Sequence, residues 1–244
     1  MGAVEGGAEA VAGEAVALAP GRGDGTPVRM SIMRRAMARR MVEAVAVPCF
    51  YLRVTADVTD LLAARAAARA AGGPVPSVND CIVRAAALEL RAHPEVNATY
   101  DDGVLIVHPR VNVGVAIAVE GGLVVPAVYD ADVRDAASIS AAVKELVGLA
   151  GRRKLGRDVL SDATFTVSNL GSYGIEDFDP IINPPQAAIL GVGTARPATG
   201  DRQTIRLTLG CDHRALTGAE GAVFLTALRD RLQTGAALLA PAGS

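Results

Sequence analysis

The sequence predicts an α/β domain in which a mixed β-sheet is covered by helices. Three observations lead there. Apolar residues fill 50% of the 244 positions and charged residues 20%, the balance of a chain that buries a sizeable core. Segments of period 2 and period 3.6 interleave along the chain. Their order is helix, strand, helix, helix, hairpin, two strands, helix, three strands, helix. That is not strict strand and helix alternation, so parallel and antiparallel pairings are both expected.

Each element has a local reason. The first 25 residues are small, acidic and Gly-rich, without the basic start and apolar core of a signal peptide, so 1–27 reads as a disordered leader and 28–244 as one domain. From Ser31, an N-cap, Met33, Met37 and Met41 recur on one helical face with Arg34, Arg35, Arg39 and Arg40 on the other. Residues 49–57 alternate as a half-buried strand. A helix from Thr59 to Ala71 is closed by Gly72 and Gly73, and Ser77 caps another that ends near His93 and Pro94. A hairpin over 97–107 turns at Asp101, Asp102 and Gly103. VNVGVAIAV, 111–119, is the cleanest period-2 segment; with LVVPAVYDA beyond the turn at Glu120, Gly121 and Gly122 it is expected to supply central strands. A helix from Ser138 to about Lys154, strands at 164–168, 187–193 and 204–211, and a helix from Gly218 to Gln233 complete the order.

Composition excludes several functions. The 24 basic and 26 acidic side chains leave a net charge of -2, so neither nucleic acid nor a membrane surface is an expected partner. Of the basic residues 22 are Arg, which together with abundant Ala, Gly and Val reads as coding bias rather than a binding surface. No apolar run reaches the roughly 18 residues of a membrane span. Cys49, Cys81 and Cys211 are too few and too irregular for a disulfide framework, so a reducing, cytoplasmic setting is expected. No metal site is expected.

Three segments could carry chemistry. Gly210, Cys211, Asp212, His213 and Arg214 end an apolar strand just before a helix, where His213 is placed to act as a general base, although a lone histidine is more often structural. In FTVSNLGSYG, 165–174, Ser168 and Asn169 end a strand among glycines, as either an oxyanion site or an ordinary turn. In IINPPQAAILGVG, Gly191 and Gly193 open no helix and lack the acidic partner of a dinucleotide fingerprint, so a Rossmann reading is rejected. Cys211, two residues from His213, is a weaker nucleophile candidate.

Together with SIMRRAMARRM at 31–41 and DHR followed by Gly218, these segments resemble the catalytic domain of the dihydrolipoamide acyltransferases of 2-oxo acid dehydrogenase complexes, from about Val28 to Leu239. The resemblance implies a chloramphenicol acetyltransferase-like two-layer sandwich, coenzyme A or acetyl-CoA as co-substrate, and a homotrimer or multiple of trimers with active sites between subunits. It implies His213 as the base that deprotonates the nucleophile. Ser168 becomes the hydroxyl that supports the tetrahedral oxyanion across the interface, with Asn169 beside it, and Arg34 and Arg35 lie near the coenzyme A site. It also exposes a departure: the family's acidic residue before Gly218, which holds the active-site loop through an ion pair with an arginine, is Thr217 here.

The first lysine is Lys144, so no lipoyl attachment is expected ahead of the domain. The expected activity is therefore transfer of acetyl from acetyl-CoA to a small-molecule hydroxyl, in the manner of the stand-alone O-acetyltransferases of tetronate biosynthesis, a branch of secondary metabolism. The alternatives are an acyltransferase core served by lipoyl domains on another chain, and a catalytically silent scaffold.

Overall fold

A computed structural model describes residues 28–72 and 75–240; the leader expected over 1–27 lies outside them. The helices are α1 (Ile32–Val45), α2 (Thr59–Ala70), α3 (Val78–Ala92), α4 (Ala136–Gly151), α5 (Arg157–Ser161) and α6 (Gly218–Gln233). The strands are β1 (Cys49–Asp57), β2 (Ala98–Asp101), β3 (Val104–Val107), β4 (Val113–Val115), β5 (Ile117–Val119), β6 (Gly122–Val124), β7 (Ala127–Val128), β8 (Phe165–Asn169), β9 (Ala188–Val192), β10 (Arg196–Pro197) and β11 (Gln203–Asp212).

The main sheet runs β1-β11-β9-β8-β4-β7, with β10 on β11. It is mixed, as its sequence order requires: β4, β8 and β9 are parallel, while β1, β11 and β7 are antiparallel to their neighbours. Two short hairpins, β2-β3 and β5-β6, stand off it. Asp102 (φ 38°) and Gly103 (φ 83°) both enter the left-handed region, which is what a two-residue hairpin turn between β2 and β3 demands.

Helices α3 and α6 pack against one another, and α6 against β1. The core lies under them, with Phe165 of β8 meeting Phe224 of α6 edge-on at 5.8 Å between ring centres. The helical period of α3 is pinned by a capping box, Asp80 N to Ser77 Oγ at 3.1 Å and Ser77 N to Asp80 Oδ2 at 2.7 Å. Ala44, Val47, Ile182 and Ile189 form a smaller apolar cluster of their own. On α1 the three methionines and Ala44 make the shielded face, and the arginines are exposed.

Two expectations are corrected. The 111–124 stretch does not stay in the sheet: β4 lies inside it, but the chain leaves at Ala116 to form the separate β5-β6 hairpin. Val115 N donates to the Pro126 carbonyl, and Pro126, with no N–H, cannot return the bond, so the ladder stops. Helix α4 starts two residues earlier than Ser138, because Asp135 caps it by accepting from Ser138 N at 2.7 Å.

Candidate functional site

The parallel strands β4, β8 and β9 end at one edge of the sheet, the side on which open α/β sheets bind ligands. There a cavity of about 770 Å³ opens between Val115, Ser168 and Val192 at the strand ends, Asn79 in the first turn of α3, Leu123 of the β5-β6 hairpin and Val147 of α4. The early exit of the chain at Ala116 is what supplies the hairpin wall. Among the described residues, none that lines this cavity carries a charged side chain.

Ser168 and Asn169 meet here but are used differently. The Ser168 hydroxyl has no hydrogen-bond partner among the described residues. Asn169 is occupied at both ends of its amide: Oδ1 accepts from Gly171 N at 2.8 Å, and Nδ2 donates to Asn79 Oδ1 at 3.0 Å. One of the two N–H donors of its amide is therefore committed to structure. Asn79 was not legible as a site residue, because a polar residue in a helical first turn is ordinary; only its reach across to β8 singles it out.

His213 is elsewhere. Ser168 pairs with Gly191, and Gly191 with Thr208, whereas His213 lies five residues further along and just past β11. At strand dimensions that is roughly 17 Å along the sheet and about 10 Å across it. The two residues sit at opposite ends of the sheet, and one chain cannot bring them together. The His213 ring is exposed and stacks on Phe50, 4.6 Å between centres and tilted by 51°; its backbone N donates to the Pro48 carbonyl at 2.9 Å.

The loop around His213 is braced from within. Buried Asp212 takes a fork of hydrogen bonds from Arg214, Nε to Oδ1 at 3.0 Å and Nη2 to Oδ2 at 2.7 Å, and this pairing raises the Arg214 pKa. The Arg214 guanidinium also lies 4.5 Å from the centre of the Tyr100 ring. Thr217 caps α6: Oγ1 accepts from Glu220 N at 3.3 Å, and the Glu220 carboxylate accepts from Thr217 N at 2.7 Å and from its hydroxyl at 2.8 Å. Those bonds hold the Glu220 carboxyl below its ordinary pKa. Thr217 thus fixes the loop by capping, with no arginine partner among the described residues.

Cys211 is fully buried, and burial pushes its thiol up to about 12, so it stays protonated and is no nucleophile. Arg34 and Arg35 are exposed on α1. That helix lies behind the cavity's hairpin wall, with Ser31 Oγ 3.4 Å from the Gly121 carbonyl oxygen and Met33 against Gly122.

Residues 22–240 match the 2-oxoacid dehydrogenases acyltransferase (catalytic domain) family. The dihydrolipoyllysine-residue acetyltransferase component of the pyruvate dehydrogenase complex of Rhizobium meliloti is 37% identical over 216 residues, 81% of this chain and 47% of that protein. The chain spans about half the length of the curated relatives it matches. A structure of Azotobacter vinelandii dihydrolipoamide acetyltransferase, from a study of a serine, a histidine and an asparagine in its mechanism, superposes with a TM-score of 0.83 at 31% identity, over 89% of this chain and 95% of that one. The cubic core of a pyruvate dehydrogenase multienzyme complex gives 0.84 at 31% identity, covering 90% and 96%. A chloramphenicol acetyltransferase shares the fold, with a TM-score of 0.54 at 14% identity over 83% and 96%.

Proposed function

This chain belongs to the 2-oxoacid dehydrogenase acyltransferase family as its catalytic domain, and on that premise we propose that it moves an acyl group between coenzyme A and a dihydrolipoyl thiol. The observation that carries the reading is the charge-free cavity at Ser168, which suits a long uncharged arm ending in a thiol or thioester. The pantetheine arm of coenzyme A and a lipoyl-lysyl arm are both of that kind. The names of the relatives support a dihydrolipoyl acceptor over the small-molecule hydroxyl expected from the sequence.

In this proposal His213 takes the proton from the attacking thiol, and the thiolate adds to the thioester carbonyl. Ser168 donates its unpartnered hydroxyl to the oxyanion of the tetrahedral intermediate. As the intermediate collapses, His213 returns the proton to the departing thiolate, so the step is balanced without a covalent enzyme intermediate. Because the sheet holds the two residues apart, the working site joins His213 of one copy to Ser168 of the next, which a homotrimer, or a multiple of trimers, satisfies. Arg34 and Arg35 supply the positive charge for the coenzyme A phosphates.

A coenzyme A release assay with acetyl-CoA tests this against dihydrolipoamide and a panel of hydroxylated acceptors. Turnover with dihydrolipoamide is expected, falling about 10²- to 10⁴-fold in His213→Ala. Turnover with hydroxylated acceptors alone would overturn the dihydrolipoyl reading.

A further inference from the structure

We propose that Asn79 is a positioning residue of the acyl-transfer site, holding through Asn169 the turn that follows Ser168. The proposal rests on the reading of Ser168 as the oxyanion donor.

Hydrogen-bond polarity sets the orientation of the whole relay. The Gly171 backbone N–H can only donate, so the Asn169 side chain must present its oxygen to it, at 2.8 Å. That turns the Asn169 NH₂ group towards α3, where Asn79 must in turn present its own oxygen, at 3.0 Å. One backbone N–H therefore fixes both amides, and the Asn79 carbonyl oxygen is the last acceptor in the line.

Both ends of the relay are anchored. Asn79 is the second residue of α3, whose first turn is held independently by the Ser77 and Asp80 capping box. Gly171 is pressed onto the end of β9: a Cβ there would lie 2.8 Å from the Gly193 carbonyl oxygen and 3.1 Å from Asn169 Oδ1. The turn has no slack on the β9 side, so the relay from α3 sets its remaining freedom. Ser168 is one residue before Asn169 and shares the cavity with Asn79. Loss of the Asn79 acceptor releases the Asn169 side chain and hence the turn, and the Ser168 hydroxyl loses its fixed aim although Asn79 touches no reacting atom.

Asn79→Leu removes the acceptor at similar volume and leaves the capping box intact; Asn79→Ala serves the same test should the leucine variant fail to fold. Hydrogen–deuterium exchange at the Gly171 amide, which needs no substrate, should rise about fivefold, the loss of one ordinary hydrogen bond. The kcat should fall about tenfold with little change in KM, the pattern of an interaction made in the transition state. In a Ser168→Ala background the same substitution should change kcat less than about twofold, since coupled residues do not add. Unchanged Gly171 exchange overturns the relay, whatever the reaction proves to be. Raised exchange with unchanged kcat, while Ser168→Ala is slow, overturns the positioning role alone. If Ser168→Ala also turns over normally, the reading of the site falls and the proposal with it.

Discussion

His213 carries its ring on the surface of the chain, supported by Phe50 and by a backbone bond to Pro48, with the rest of the bracing supplied by its neighbours. The sequence made His213 and Ser168 legible as polar groups at strand ends, but not how each hydroxyl or amide is spent. Among the described residues the Ser168 hydroxyl has no partner while the Asn169 amide is bonded through its oxygen and one N–H, and only side-chain geometry separates them. Thr217 is the sharper case. The position four after His213 holds a neutral residue, yet a capping box of the usual kind recovers the loop. Thr217→Val should cost about 1 kcal/mol of stability, read by thermal or denaturant unfolding, while kcat changes less than about threefold. A large loss of rate with unchanged melting would contradict the capping role. The folded Glu220 pKa is depressed, so its contribution is present above the ordinary value of 4.5 and is lost as pH falls through the folded one. The stability gap between wild type and Thr217→Val should therefore narrow in acid.

At the scale of elements, the GVG of β9 shows why glycine recurs where no nucleotide binds. A Cβ at Gly193 would lie 1.8 Å from the Glu176 carbonyl oxygen, and one at Gly191 would lie 3.1 Å from the Pro180 ring. The glycines let the 176–180 segment cross this face of the sheet. Gly193→Ala should destabilise by about 3 kcal/mol in urea unfolding, because the Glu176 backbone must move, and Gly191→Ala by less, because the Pro180 ring and the Phe178 carbonyl oxygen at 3.3 Å need give only a few tenths of an ångström. Equal costs would deny the difference. The rejection of a dinucleotide fingerprint came from the sequence; the close crossing that explains the glycines could not, since nothing local marks which segment will lie over a strand. The same holds at 111–119, where alternation reads as one strand, and a proline 11 residues beyond Val115 decides where the ladder ends.

Across the whole molecule, the sheet acts as a spacer between the two halves of the proposed chemistry. If His213 and Ser168 of neighbouring copies make one site, two inactive variants should complement each other. After co-refolding equal amounts of His213→Ala and Ser168→Ala chains, random mixing places both intact residues at about a quarter of the interfaces. Activity should return to about that share, measured as dihydrolipoamide-dependent coenzyme A release. A mixture as inactive as its parents would show that each chain builds its site alone. The fold class belongs to this scale too, and it was legible early: mixed order predicted a mixed sheet, and the parallel trio β4, β8 and β9 with antiparallel flanks is that sheet.

By itself the sequence did not show that 111–130 divides into four short strands, or the short α5 and β10; it determined the main helices and long strands in their order, the caps at Ser31 and Ser77, and the motifs that place the chain in an acyltransferase family. Those features are local: periodicity, hydrogen-bonding type and backbone freedom act over a few residues, and a motif is read in line. Only the tertiary structure decided which motif residues meet. Strand register, not sequence spacing, sets Ser168 and His213 at opposite ends of the sheet, brings Asn79 to Asn169 across 90 positions, and buries Cys211 beneath α6 while His213 two residues away stays in solvent. Such contacts depend on how the layers close over the core, and no local pattern along the chain encodes them.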